Sequence, residues 1–175
     1  ESLPEPGGMM RVGIPIYRLP RNILDQEIEE IKRAGVEIKC NTRVESADEL
    51  FKQGYNAVFL AVGAHKGTKI GVEGQDSPGV LEAVTLLRDV SLGKEVKVGE
   101  KVAVIGGGNA AVDAARTALR VGAKDVNILY RRDRTGMPAS PEEIKAAEHE
   151  GVKIHFLVNP TKMGRFFIDD VTQFF

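Results

Sequence analysis

Lys101 to Arg116 reads KVAVIGGGNAAVDAAR, and this stretch decides the fold. Val102 to Ile105 is a short apolar run of the kind that a fully buried parallel strand shows. Three glycines come next, then an alanine-rich segment that predicts a helix from near Asn109. Read as G-x-G-x-x-A, the run places Gly106, Gly108 and Ala111 at the three positions of a dinucleotide fingerprint. Gly106 allows the tight turn out of the strand, Gly108 lets a pyrophosphate approach the backbone, and Ala111 keeps the helix close to the sheet. The helix start then offers its unpaired N–H groups and positive dipole end to phosphate.

The residues downstream of the fingerprint narrow the reading. Gly122 supplies a helix stop, and Asp125 to Tyr130 (DVNILY) reads as a second buried strand. The residue that meets the adenosine ribose is expected about 20 positions beyond the fingerprint. That position holds Arg131, with Arg132 beside it. A carboxylate there would accept a free ribose 2′-OH, whereas two guanidiniums suit a 2′-phosphate through bidentate, charge-assisted hydrogen bonds. The expectation is NADP(H) in preference to NAD(H). Arg134 reads either as a third cation for the pair or as an ordinary loop charge.

Composition sets the outer bounds. With 175 residues the chain has room for one ordinary domain or two small ones. A net charge of −1 gives no support to nucleic-acid binding, and no apolar run approaches the length of a membrane span. Cys40 is the single cysteine, so an internal disulfide is excluded and a cytoplasmic, reducing setting is expected. The chain begins at Glu1 and not at a methionine, so it reads as an internal fragment of a longer protein.

Taken in order, residues 1 to 20 carry four prolines and three glycines without helical or strand period, and read as a loop. A helix is expected next, with Asn22 as N-cap, Leu24, Ile28 and Ile31 as its buried stripe, and Gly35 as its stop. Val36 to Cys40 alternates as a strand. Ser46 and Glu49 form a capping box for a short helix through Lys52, and Ala57 to Val62 (AVFLAV) reads as a buried strand. Residues 65 to 79 are polar and glycine-rich, with a domain boundary placed near residue 68. Val80 to Val90 has helical spacing. Ser140, Pro141 and Glu143 announce a further helix, ending at Gly151, and Val152 to Val158 is the next strand.

Two segments echo one another: EEIKRAGVEIK (Glu29 to Lys39) and EEIKAAEHEGVKI (Glu142 to Ile154). Each is an acidic-start helix, a glycine stop and a strand opening with valine. The second copy lies just downstream of Arg131, while the corresponding point of the first copy falls near Glu1. The chain is therefore expected to be α/β, with two Rossmann-like, doubly wound parallel-sheet halves, the first truncated. Residues 1–68 form the first half, 69–160 the second, and 161–175 a tail of unassigned role. Four of the seven phenylalanines lie in that tail. The histidines, His65, His149 and His155, have no metal-ligand partner at suitable spacing.

The combination of GGMMRVGIPIYRLP (7–20), AVFLAVGA (57–64), VIGGGNAAVDAAR (104–116) and YRRDRTGMPAS (130–140) closely resembles NADPH-dependent flavoproteins. These are typified by the small subunit of bacterial glutamate synthase, and the flavoprotein region of dihydropyrimidine dehydrogenase is similar. The resemblance implies one Rossmann domain for FAD and one for NADPH. Electrons would pass from NADPH through FAD to iron–sulfur clusters held in other domains or a partner subunit. By match of motif, Gly106, Gly107, Gly108, Asn109, Ala110 and Ala111 correspond to the NADPH phosphate loop, and Arg131 and Arg132 to the 2′-phosphate pair. Glu1 falls where the family's acidic residue holds the FAD ribose. Gly7, Gly8 and Met9 fall in the loop along FAD, Arg18 matches an arginine contacting FAD, and Val44 meets the adenine side. Ala61 to Gly63 match an Ala-Thr-Gly turn whose middle residue here is Val62. The family's own FAD fingerprint should precede Glu1 and its Gly-Asp motif should come after the second domain; these 175 residues contain neither. No side chain reads as an acid–base catalyst, and hydride transfer between nicotinamide and flavin requires none. A nucleotide-binding module without turnover, and more distantly a methyltransferase, are the competing readings.

Overall fold

A computed structural model describes residues 1–163. The chain divides into two compact units, Glu1–His65 and the residues from Lys66 onward. The expected tail falls almost wholly outside the described residues.

In the first unit, residues 1–20 are not all loop. Helix α1 spans Gly8–Val12, entered through Gly7 at φ 121°, a left-handed conformation open to glycine. Helix α2 spans Arg21–Arg33 and α3 spans Ala47–Lys52. Arg11, 8% exposed, ties the first elements together: it donates to the Pro6 carbonyl, pairs with Glu5 at 2.7 Å and also pairs with Asp25 on α2. The cap of α2 is Pro20 and not Asn22: the ring fixes its φ at −56°, while a ψ of 135° keeps it outside the helix that starts at Arg21. Leu24 and Ile28 are buried as expected, but Ile31 is 48% exposed; α1, which α2 packs against, is only five residues long. Ser46 does precede α3, though its side chain makes no capping bond.

The strands expected at Val36 to Cys40 and Ala57 to Val62 do not form. A strand needs a partner to satisfy its backbone groups, and the described residues of this unit contain none. Phe59, Leu60 and Val62 are 92%, 73% and 79% exposed as a result.

The second unit has helix α4 (Ala83–Ser91), strand β1 (Lys101–Ile105), helix α5 (Asn109–Arg120), strand β2 (Asp125–Tyr130), helix α6 (Pro141–His149) and strand β3 (Lys153–Phe156). The strands form one parallel sheet in the order β1-β2-β3, with Lys101 opposite Asp125 and Asn127 opposite Lys153. Period-two alternation puts Val102, Val104, Val126, Ile128, Tyr130, Ile154 and Phe156 on one face, where they enclose a core with Val112, Ala115, Ala118, Ile144 and Ala147. Helix α5 is buried nearly all round because its alanines let the sheet, α4 and α6 approach it closely. The arginines of α5 are ion-paired to carboxylates of α6 and its cap. Arg116 pairs with Glu143, and both Arg116 and Arg120 reach Glu150 at 2.7 Å.

Helix α4 starts three residues later than its periodicity suggests. β3 stops short of Val158 because Leu157 takes φ 58°. Leu157 and Val158 nevertheless donate to the carbonyls of Arg132 and Tyr130, at 3.2 and 3.1 Å. Of the two echoed segments, the second completes as helix, Gly151 turn (φ 98°) and paired strand; the first ends after its Gly35 turn (φ 93°) without pairing. Among the described residues, no helix is long and apolar enough to cross a membrane.

Candidate nucleotide-binding site

The turn between β1 and α5 is built as the fingerprint requires. Gly106 has φ 135°, accessible at low cost only to glycine, and its N–H donates to the Leu129 carbonyl at 3.1 Å. A β-carbon on Gly106 would touch that of Ala111 at 3.4 Å, so these two small residues set the approach of helix to strand. Gly108 caps α5 with extended backbone, its carbonyl accepting from Ala111 and Val112. Nothing lies within 4 Å of the position of a Gly108 β-carbon. The backbone of the first turn is thus open on the Gly108 side, with Asn109 and Ala110 exposed beside it.

Gly107 has a different reason for being glycine. It is buried, and a β-carbon there would stand 2.5 Å from the Tyr130 ring. Tyr130, the last residue of β2, is 7% exposed and its hydroxyl donates to the Gly136 carbonyl at 2.5 Å. No sequence motif singles this tyrosine out, because its role depends on a turn six residues away.

Arg131 and Arg132 leave the carboxyl end of β2 and are exposed. This is the end of the parallel sheet at which open α/β folds bind ligands. Among the described residues neither guanidinium is held by an ion pair. Their loop, by contrast, is firmly held. The Asp133 carboxylate accepts from Thr135 Oγ1 and the Gly136 N–H, both at 2.8 Å, which holds its pKa below the usual carboxylate range. Ala139 donates its N–H to the Gly107 carbonyl at 3.0 Å, and Ser140 donates its own to Asn109 Oδ1 at 2.9 Å. The arginine loop is thus hydrogen-bonded directly to the glycine turn. Asp133-x-x-Gly136 is a turn signature that the sequence does contain.

Arg134 is not a third free cation. It makes a two-pronged pair with Glu148 of α6, at 2.6 Å on both arms, and lies 6.0 Å from the Phe156 ring centroid. The bond raises the Arg134 pKa and lowers that of Glu148. Ser140 precedes α6 with Pro141 in its first turn, but the Ser140 hydroxyl bonds Glu142 and not the backbone.

The residues matched to FAD all lie in the first unit. The Glu1 carboxylate accepts the Leu3 N–H at 2.8 Å, and the Glu1 and Leu3 carbonyls accept from Thr42 and Asn41. This sets Glu1 beside the segment leading to Val44, which is 47% exposed. Gly8 and Met9 begin α1, Arg18 is half-buried, and Gly63 has φ 70°. Cys40 is half-buried. Among the described residues no group of histidine, cysteine and carboxylate side chains could hold a metal ion. His155 Nε2 is instead bonded to Asn127 Oδ1 at 2.8 Å.

The family model described as pyridine nucleotide-disulphide oxidoreductase matches residues 15–165. The chain belongs to the pyridine nucleotide-disulphide oxidoreductase family. Among members with curated names, it is 51% identical over 169 residues to the NADP(+)-dependent formate dehydrogenase subunit beta of Moorella thermoacetica, covering 93% of this chain and 24% of the relative. It is 36% identical over 173 residues to the glutamate synthase (NADPH) small chain of Escherichia coli (strain K12), covering 90% of this chain and 36% of the relative. The chain thus spans about a quarter to a third of these relatives, and their names describe subunits of larger assemblies. Mycobacterium tuberculosis FprA, solved in complex with NADPH, has the same fold, with a TM-score of 0.75 at 20% identity over 94% of this chain and 53% of FprA. Cys40 is the single cysteine of these 175 residues.

Proposed function

We propose that this chain is the pyridine-nucleotide-binding part of a flavin-dependent oxidoreductase that takes hydride from NADPH. The observation that carries the reading is the direct linkage of an open, glycine-lined helix start to a loop presenting Arg131 and Arg132. Gly106 to Ala111 would hold the pyrophosphate, through the α5 N–H groups at the open Gly108 position. Arg131 and Arg132 would hold the 2′-phosphate, as exposed guanidiniums without an ion pair among the described residues suit a dianion. The relatives whose names include NADP or NADPH agree with this choice.

The role of the second unit, from Lys66, is then to fix and orient the coenzyme, while the first unit contributes to a flavin site through Glu1, Gly8, Met9, Arg18, Val44 and Gly63. When bound, the nicotinamide and flavin supply the hydride chemistry themselves. The chain's contribution is positioning: a rigid sheet end, a fixed helix start and a pre-shaped arginine loop. The electron acceptor is a partner subunit or further domain bearing iron–sulfur clusters, in a cytoplasmic setting. Electrons would leave by that route in an assembly like that of glutamate synthase.

A second reading, a nucleotide-binding module without its own flavin, draws on one observation: the apolar Ala57 to Val62 segment is unpaired and largely exposed. Two measurements separate the readings. Side-by-side titration with NADPH and NADH should show clear preference for NADPH, and equal affinity would sink the coenzyme assignment. Flavin absorbance in the purified protein supports the oxidoreductase; colourless protein that still binds NADPH supports the module.

A further inference from the structure

Tyr130 stands between two loops. Its ring fills the space over Gly107 so tightly that a β-carbon there would be 2.5 Å away, and its hydroxyl donates to Gly136 in the arginine loop. The ring belongs to the core shared by the sheet, α5 and α6, so its position is set by packing and not by the loops. The hydroxyl is the only polar atom of the side chain, and a buried tyrosine hydroxyl must find a partner. That partner is the carbonyl of the residue whose N–H is held by Asp133. Gly136 is therefore gripped at both its N–H and its carbonyl, five residues after Arg131 and four after Arg132. Its own Cα lies close against Arg132: a β-carbon on Gly136 would be 3.3 Å from Arg132 Cβ and Cδ. Movement of Gly136 is thus felt directly by the Arg132 side chain.

We propose that Tyr130 is a positioning residue for coenzyme choice. The inference rests on the assignment of Arg131 and Arg132 to the 2′-phosphate. Through its ring Tyr130 shapes the pyrophosphate loop, and through its hydroxyl it holds the arginine loop in register with that loop. Two long, exposed guanidiniums lose rotamer freedom when they clamp a phosphate, and a loop held beforehand lowers that loss. A coenzyme lacking the 2′-phosphate gains nothing from the hydroxyl.

Tyr130→Phe separates the two roles, because it keeps the ring against Gly107 and removes the bond to Gly136. In the full-length protein we expect NADPH to bind about fivefold to tenfold more weakly, from loss of one buried hydrogen bond, with NADH changed less than about twofold. The fragment 2′,5′-ADP should track NADPH and ADP should track NADH. Amide hydrogen exchange at Gly136 and Ala139 should speed severalfold in the same variant. An unchanged NADPH-to-NADH ratio, or equal weakening of both coenzymes, would overturn the proposal. So would unaltered exchange at Gly136. If the wild-type protein itself does not distinguish NADPH from NADH, the underlying 2′-phosphate assignment fails, which is a different result from a wild-type preference that Tyr130→Phe leaves intact.

Discussion

Gly107 and Tyr130 are in such close apposition that a single added methyl group cannot fit between them: the β-carbon would lie 2.5 Å from both Cδ2 and Cε2 of the ring. Gly107→Ala therefore forces either the ring out of the core or the phosphate loop away from the sheet. Overpacking of this kind destabilises by about 1–3 kcal/mol. The variant should melt several degrees lower and lose affinity for NADPH and NADH alike, because it displaces the loop proposed to hold the pyrophosphate common to both. Gly108→Ala meets no neighbour and should fold normally, so any binding loss there reports the ligand's approach. Thermal melts and calorimetry on the pair distinguish the two glycines.

Arg131 and Arg132 are exposed, so removing them should leave the fold intact. Charged hydrogen bonds contribute about 1.5–3 kcal/mol each, so the double alanine variant should lose a factor of about 100 or more in NADPH affinity. NADH binding should change little. Isothermal titration with both coenzymes checks this, and equal losses would count against a 2′-phosphate role.

Glu150 receives four hydrogen bonds from Arg120 and Arg116, which hold its pKa down at about 2, below its ordinary 4.5. A carboxylate depressed in the folded state stabilises it fully above the unfolded pKa. That stabilisation drains away as pH falls from about 4.5 through about 2. Its upper size is about 3 kcal/mol, lowered by the quarter exposure of the side chain. Urea midpoints measured across this range should fall more steeply for the wild type than for Glu150→Gln. Parallel curves would show that Glu150 does not govern the acid limb.

Gly74 combines two requirements. Its φ is 81°, and a β-carbon there would stand 1.8 Å from the Met163 carbonyl oxygen. This close approach accompanies the bridge between Glu73 and Lys162, in which Met163 donates to the Glu73 carbonyl at 2.7 Å and the side chains pair at 2.6 Å. Gly74→Ala should break the bridge and destabilise the protein by more than the roughly 1 kcal/mol of left-handed strain alone. Lys162→Ala, which removes an exposed ion pair, should have a far smaller effect. Comparing the two melting temperatures tests whether backbone apposition or charge holds the bridge.

The second unit was legible because its signals are local. The strand at Asp125–Tyr130 lies where its apolar run placed it, and α5 begins at Asn109, since strand, glycine turn and alanine helix are each specified by adjacent residues. In the first unit local signals misled. Ala57 to Val62 has strand composition, yet pairing depends on a neighbour that no local pattern supplies. Asn22 has the chemistry of a cap, but the constraint lies two residues earlier in Pro20. Arg134 is undecided in the sequence because its partner, Glu148, is fourteen residues away and comes within 2.6 Å only in the fold.

By itself the sequence determined that a glycine-rich strand-to-helix turn precedes an arginine pair by the spacing of one helix and one strand, because covalent order and helical rise dictate that separation. Only the tertiary structure decided that the two features share one rigid loop system. Ala139 on Gly107 and Ser140 on Asn109 are bonds made between the two loops across the sheet end. They arise once α5 and α6 pack on the sheet and bring the two loops together, and packing of that kind depends on the shapes of several segments at once.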